Sequence, residues 1–134
     1  MNPIAIDSIR HELVNLHKAM LDSERESVER ERGRLSAGEF LQLVIGDEAF
    51  AWLRPISGLV VRMDEWLDDE SSVPGGAAAL VADARRLTTA NADGDAYERR
   101  YAELLQSRPE VVLAHAALTR VLSSQRDASS ATFH

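Results

Sequence analysis

Apolar side chains recur every three or four residues along most of this chain, a spacing that predicts helices. Segments in which apolar and polar residues alternate, as they do in strands, are almost missing. The first apolar stripe consists of Ile6, Ile9, Leu13, Leu16 and Met20. The helix that carries this stripe is predicted to begin near Asp7 or Ser8 and to stop at Gly33.

A capping signal introduces the next segment. Ser36 followed by Glu39 has the spacing of a capping box, in which each side chain binds a free backbone N–H of the first turn. Five apolar residues follow, Phe40, Leu41, Leu43, Val44 and Ile45, so a short helix is predicted here, with Gly46 at its end. Asp47 is then in position to cap another helix.

The segment 50–67 combines the richest apolar content with both tryptophans, Trp52 and Trp66. Large aromatic side chains dominate the energetics of cores and interfaces, so this segment is predicted to be the centre of the fold, an interface, or both. Pro55 either kinks one helix or begins its second half. Gly58 is expected to let a neighbouring helix approach closely.

Three more helices are predicted beyond an acidic, glycine-rich loop at residues 68–76. The first covers the alanine-rich residues 77–90, and the second begins at a possible capping box formed by Asp95 and Glu98. Pro109 suits the first position of the last helix, because that position needs no backbone N–H.

These patterns predict an all-α fold, a single-domain bundle of five to six helices. The domain is expected to cover residues 1–122, and residues 123–134 are expected to form a polar C-terminal tail. A length of 134 residues with 45% hydrophobic content is typical of one folded domain with one core.

The composition indicates a cellular compartment and argues against some classes of partner. The chain has no cysteine, which suits a reducing cytoplasm, and residues 1–7 lack the features of a signal peptide. No apolar run has the length that a bilayer requires, so a cytoplasmic protein without a membrane partner is expected. The net charge of −7 repels phosphate backbones, which argues against nucleic acid as a partner.

Histidines and carboxylates suggest one possible metal site. His17, Glu24, Asp64 and His115 lie on three predicted helices that a bundle could bring together. However, the Glu-x-x-His spacing of bundle di-metal sites does not occur in this sequence. A metal- or small-ligand-binding bundle that uses these four residues is kept as the alternative function, with or without an enzymatic activity.

The favoured function is a non-enzymatic protein–protein interaction or regulatory module that binds another protein or a second copy of itself. No nucleophile elbow or glycine-rich phosphate loop is present, and no cofactor is implied. The predicted contact residues are Phe50, Trp52, Arg54, Arg62 and Trp66. Arg54 lies in the most apolar segment, where a charge needs a partner or access to water, and Arg62 could stack on Trp66.

Four segments carry a resemblance to a known group of proteins. They are Leu16–Arg25 (LHKAMLDSER), Gly33–Ser36 (GRLS), Phe50–Ser57 (FAWLRPIS) and Pro109–His115 (PEVVLAH). The chain resembles, over residues 8–122, a small family of uncharacterised bacterial all-α proteins. This resemblance implies a bacterial cytosolic setting and transfers no functional residue to this sequence.

Overall fold

The computed structural model describes residues 5–131, and the side chains of residues 5–125. Its helices are α1 (Ile6–Arg32), α2 (Ala37–Gly46), α3 (Glu48–Ala51), α4 (Arg54–Asp68), α5 (Gly76–Leu87), α6 (Ala96–Ser107) and α7 (Pro109–Ala131). The described residues contain no strand, so the all-α prediction is confirmed. The predicted count of five to six helices is too low, because seven are present over this range.

The additional helix comes from the aromatic segment, which is divided between α3 and α4. Trp52 and Leu53 form a short turn, in which the Leu53 N–H donates to the Phe50 carbonyl at 3.1 Å. Pro55 lies in the first turn of α4, where its missing N–H has no acceptor within the helix. The proline therefore begins a new helix and does not kink a continuous one.

The predicted helix ends are confirmed at four places. Both capping boxes form: the Ser36 hydroxyl accepts the Glu39 N–H at 3.1 Å, and the Asp95 carboxylate accepts the Glu98 N–H at 2.8 Å. The Asp47 carboxylate caps α3 by accepting the Ala49 N–H at 2.8 Å. Helix α1 stops at Gly33, whose φ of 86° lies in the region that glycine tolerates best.

Helix α7 does not end at Leu122 but continues to Ala131, within the segment predicted to be a tail. Residues 123–131 contain neither glycine nor proline, so no local signal stops the helix. The Gln125 side chain also accepts a hydrogen bond from the Ala5 N–H at 3.3 Å, which ties this part of α7 to the beginning of α1.

Helix α1 is the centre of the core. Its apolar stripe from Ile6 to Met20 is buried, as the spacing predicts, and α1 packs most extensively against α7 and then against α4. The buried residues of those two neighbours are Ile56, Leu59 and Met63 of α4 and Val111, Leu118 and Leu122 of α7. Each fully buried aliphatic side chain contributes roughly 1.5–3 kcal/mol, so this stripe accounts for much of the driving force for folding.

The charged half of α1 is packed against other elements and does not project from the bundle. Glu24 is buried and binds Arg100 of α6 at 2.5 Å. Glu26 pairs with Arg108, which lies between α6 and α7. The ion pairs therefore extend the contact between α1 and the last two helices beyond the apolar core.

The expectation for Gly58 is wrong. A Cβ atom added at Gly58 would meet nothing within 4 Å, and the residue is exposed on α4. Helical periodicity identifies a glycine on a helix, but it does not show which face the neighbouring helices cover.

None of the helices in the range 5–131 combines the length and the apolar content that crossing a membrane requires.

Candidate interaction surface

Helix α2 is the most apolar of the helices, yet none of its residues is buried. Phe40, Leu43 and Val44 are half-buried, while Leu41 is 57% exposed and Ile45 is 62% exposed. Apolar residues occupy five of the six positions from 40 to 45 and cover an arc of about 200° around the helix, so they cannot all face one neighbour. A core-facing stripe of an amphipathic helix is narrower than this arc, so part of the apolar surface of α2 lies outside such a stripe.

The exposed part of α2 forms a continuous stripe, here called the α2 face, that consists of Leu41, Val44 and Ile45. Residues three and four positions apart are neighbours on a helix surface, so these three side chains adjoin one another. The backbone at Gly38 extends this stripe by one turn toward the N-terminus of α2, and a Cβ atom there would meet nothing within 4 Å.

Contacts beside the α2 face hold α2 in place. The Phe40 ring packs edge-on against the buried Phe50 ring of α3, with 5.6 Å between their centroids. The Arg25 guanidinium lies 4.5 Å from the centroid of Phe40, a cation–π contact with α1. The connection from α1 is also fixed, because the Leu35 N–H donates to Glu29 at 2.8 Å. The α2 face is therefore presented by an anchored helix.

Two shallow clefts, here called the arginine clefts, lie at the end of α1, and Arg34 lines both. The first has a volume of about 300 Å³ and is lined by Arg32, Arg34, Leu35, Glu39, Gln42 and Leu43. The second is lined by Glu26, Glu29, Arg30 and Arg34. Acidic and basic side chains alternate along this part of α1, but their pairing in the structure is uneven.

The acidic side chains of the arginine clefts have internal partners. Glu26 binds Arg108, Glu29 accepts the Leu35 N–H and lies 3.6 Å from Arg25, and Glu39 accepts the Ser36 N–H at 3.1 Å. In contrast, Arg30 and Arg34 form no ion pair with any residue described by the structure. The clefts thus present two arginine side chains whose charge the described fold leaves unmatched.

The aromatic residues predicted to form the contact lie in or against the core. Phe50 is buried, while Trp52 and Trp66 are half-buried and pack against the core cluster. The Trp52 ring lies 5.4 Å from the Tyr97 ring, between their centroids. The indole N–H of Trp52 is buried without a hydrogen-bond acceptor among the described residues, so Trp52 packs as an apolar group.

The two predicted arginines differ in their surroundings. Arg62 is bound to Asp83 of α5 at 2.8 Å, which takes it away from the stacking with Trp66 that the spacing suggested. Arg54 is exposed and donates to the Ile45 carbonyl at 2.9 Å, so it closes the C-terminal end of α2. Of the five predicted contact residues, Arg54 is the one that the hydrogen bonds connect directly to α2.

The four residues of the alternative metal site are not brought together. Glu24 binds Arg100, Asp64 binds Arg10, and the His115 ring is bonded to Tyr101. Over the range with described side chains, no group of three or more His, Asp or Glu residues could hold a metal ion. Glu24, Asp64 and His115 are therefore each held in a separate contact.

Two histidines have perturbed acidity because of their burial. Partial burial without a carboxylate partner lowers the pKa of His17 and of His115 below the ordinary value of 6.5. The His115 Nδ1 atom lies 2.6 Å from the Tyr101 hydroxyl, and burial raises the pKa of that phenol. The phenol therefore stays protonated at neutral pH and shares one hydrogen bond with the imidazole, in which the donor is set by the tautomer of His115.

Sequence reasoning missed the exposure of Leu41 and Ile45, although a signal was available. Helix α2 has more apolar positions than one core-facing stripe can hold, so some of them must face away from any single neighbour.

No family model, curated protein or solved structure matches this chain.

Proposed function

We propose that this protein is a non-enzymatic protein-interaction module that binds its partner through α2. The observation that supports this proposal is an anchored apolar helix without a single buried residue. Large contiguous apolar patches on a folded protein mark interaction sites, and Leu41 and Ile45 adjoin each other on this helix.

The physical gain from covering the α2 face is substantial. Leu41 and Ile45 are each little more than half exposed, so a partner that buried both would gain roughly 1–2 kcal/mol from each. Val44 and the open backbone at Gly38 would add contact area on the same stripe. This gain favours a binding role over a purely structural role for α2.

Other exposed apolar residues support the proposal less strongly. Val61 and Leu67 of α4 and Leu113 of α7 are also exposed, but each belongs to a helix whose other residues enter the core. Isolated exposed aliphatic residues are common on folded proteins. Helix α2 differs because the described fold buries none of its residues.

The alternative, a metal-binding bundle that uses His17, Glu24, Asp64 and His115, draws no support from these contacts. Glu24 and Asp64 are both held by arginines, so a metal ion would have to displace two ion pairs.

The experiment that tests the proposal is affinity capture from the host with three forms of the protein. The test variant is Leu41→Glu with Ile45→Glu, and the matched control is Val61→Glu with Leu67→Glu, which adds the same charge to exposed aliphatic positions of α4. Circular dichroism melts should show that both variants fold, because exposed substitutions rarely change stability by more than about 0.5 kcal/mol.

We expect a stoichiometric protein to be captured by the wild type and by the α4 control, and to be lost with the α2 variant. Light scattering of the purified wild type shows whether that protein is a second copy of the chain. Capture of the same proteins by all three forms would contradict the proposal.

A further inference from the structure

We propose that the partner segment is an amphipathic helix whose apolar side covers the α2 face and whose edge carries carboxylates that pair with Arg30 and Arg34. This inference rests on the proposed function, since it specifies the chemistry of the ligand at the same surface.

The charge of the arginine clefts supports an acidic ligand. The carboxylates in these clefts are held internally, whereas Arg30 and Arg34 have no ion pair among the described residues. Arginine is enriched at protein interfaces, where its planar guanidinium binds a carboxylate through two parallel hydrogen bonds. Carboxylates therefore fit the unmatched donors of these clefts.

The arrangement of the apolar and basic parts supports a helix as the ligand. Leu41 and Ile45 are four residues apart and share one face of α2, and Gln42 lies between that face and the first arginine cleft. A helix packed along α2 would meet the apolar pair with its own apolar stripe. Its adjacent edge would then lie over Gln42 and reach Arg34, which gives the ligand an apolar stripe with carboxylates on one side.

The same contacts argue against two other occupants. Glu26, Glu29 and Glu39 line the clefts together with the arginines, so a dense polyanion such as a phospholipid surface or RNA would meet carboxylates as well. A second copy would bring another net charge of −7 to a chain that already carries −7. A short segment with a few carboxylates brings far less negative charge than a second copy, so the repulsion that it meets is smaller.

A displayed library of helical peptides tests the inference without knowledge of the natural partner. Each 16-residue peptide would have fixed leucines at helical spacing and random residues at all other positions. The library would be selected on the full-length wild-type protein and depleted on the variant Leu41→Glu with Ile45→Glu. We expect the surviving peptides to carry aspartate or glutamate along one edge of the apolar stripe.

Charge reversal then checks where the carboxylates bind. Arg34→Glu should weaken a selected peptide by about tenfold, and replacing the acidic residues of that peptide by lysine should restore binding to Arg34→Glu. The matched control is Arg99→Glu on α6, which changes the net charge equally at an exposed position outside the clefts and should leave binding unchanged.

The outcomes separate this inference from the proposed function. Peptides that require Leu41 and Ile45 but carry no acidic edge, or bind Arg34→Glu as well as the wild type, would overturn the inference and leave the function standing. A dimer that the α2 variant abolishes would overturn the choice of partner. The absence of any peptide that depends on the α2 face would overturn both.

Discussion

At the residue scale, the hydrogen bond between Tyr101 and His115 shows how the core restricts protonation. Tyr101 is fully buried and its hydroxyl lies 2.6 Å from the Nδ1 atom of a half-buried histidine. A proton added to the imidazole would place a positive charge in a poorly solvated position.

Stability should therefore fall in mildly acidic solution. Because burial lowers the pKa of His17 and His115 in the folded state below 6.5, the unfolded chain binds more protons as the pH decreases through that value. The stabilising effect of the neutral rings is complete above about pH 7 and is lost as the pH falls below the ordinary histidine pKa. Urea unfolding at pH 7.5 and 5.5 should show this loss.

The variant His17→Gln with His115→Gln is the matched test of this explanation. Glutamine cannot be protonated in this range, and at position 115 its amide oxygen can still accept from Tyr101. The decrease in unfolding free energy between the two pH values should be smaller in this variant. An equal decrease in the wild type and in the variant would show that groups other than His17 and His115 cause the pH dependence.

The buried ion pair of Glu24 gives a second prediction at this scale. Arg100→Met should destabilise the fold by about 1.5–3 kcal/mol, because it leaves a buried carboxylate without its charged donor. Glu103→Gln removes the other carboxylate bound to Arg100, but its side chain is 63% exposed, so that change should cost less than about 1 kcal/mol. Equal losses in chemical denaturation would show that burial of Glu24 has no special energetic role.

At the element scale, helix ends could be read from the sequence more reliably than helix faces. Ser36, Asp95 and Gly33 act within one turn of their position, so local chemistry determines what they do. The division of the aromatic segment remained open because a proline is compatible both with a kink and with a first turn. The extension of α7 was missed because polar composition does not by itself end a helix.

Gly58 provides a prediction about one of these elements. Gly58→Ala should stabilise the protein by roughly 0.5–1 kcal/mol, since alanine restricts the unfolded chain and its Cβ atom meets nothing within 4 Å. Thermal unfolding of the variant should show a higher melting temperature. The comparison Gly75→Ala should destabilise instead, because φ is 84° there and the added carbon would lie 2.8 Å from Ala79.

At the scale of the whole molecule, the same type of residue has different roles in the core and on α2. Leu59→Ala should cost about 2–5 kcal/mol, because Leu59 is fully buried against α1 in the core cluster. Leu41→Ala should cost less than about 1 kcal/mol, because Leu41 is 57% exposed. Chemical denaturation of both variants measures this difference, and a large loss from Leu41→Ala would place α2 in the core.

The candidate interaction surface could be predicted only in part from the sequence. The predicted contact residues lie on the neighbouring segments α3 and α4, and Phe50, Trp52 and Trp66 pack in or against the core. Large aromatic side chains are typical of cores and of interfaces alike, so the sequence could not show whether these residues pack in the core or bind a partner. Leu41 and Ile45 became distinctive only when the fold showed that neither is covered.

The extensive contact between α1 and α7 has a consequence for how the chain folds during synthesis. These two helices are the first and the last that the structure describes, so the main contact of α1 is made by residues far away in sequence. A nascent chain that has emerged only as far as Ser107 lacks the helix that covers α1 most completely. Its apolar stripe then stays accessible until translation supplies α7, and chaperones on the ribosome would meet that stripe first.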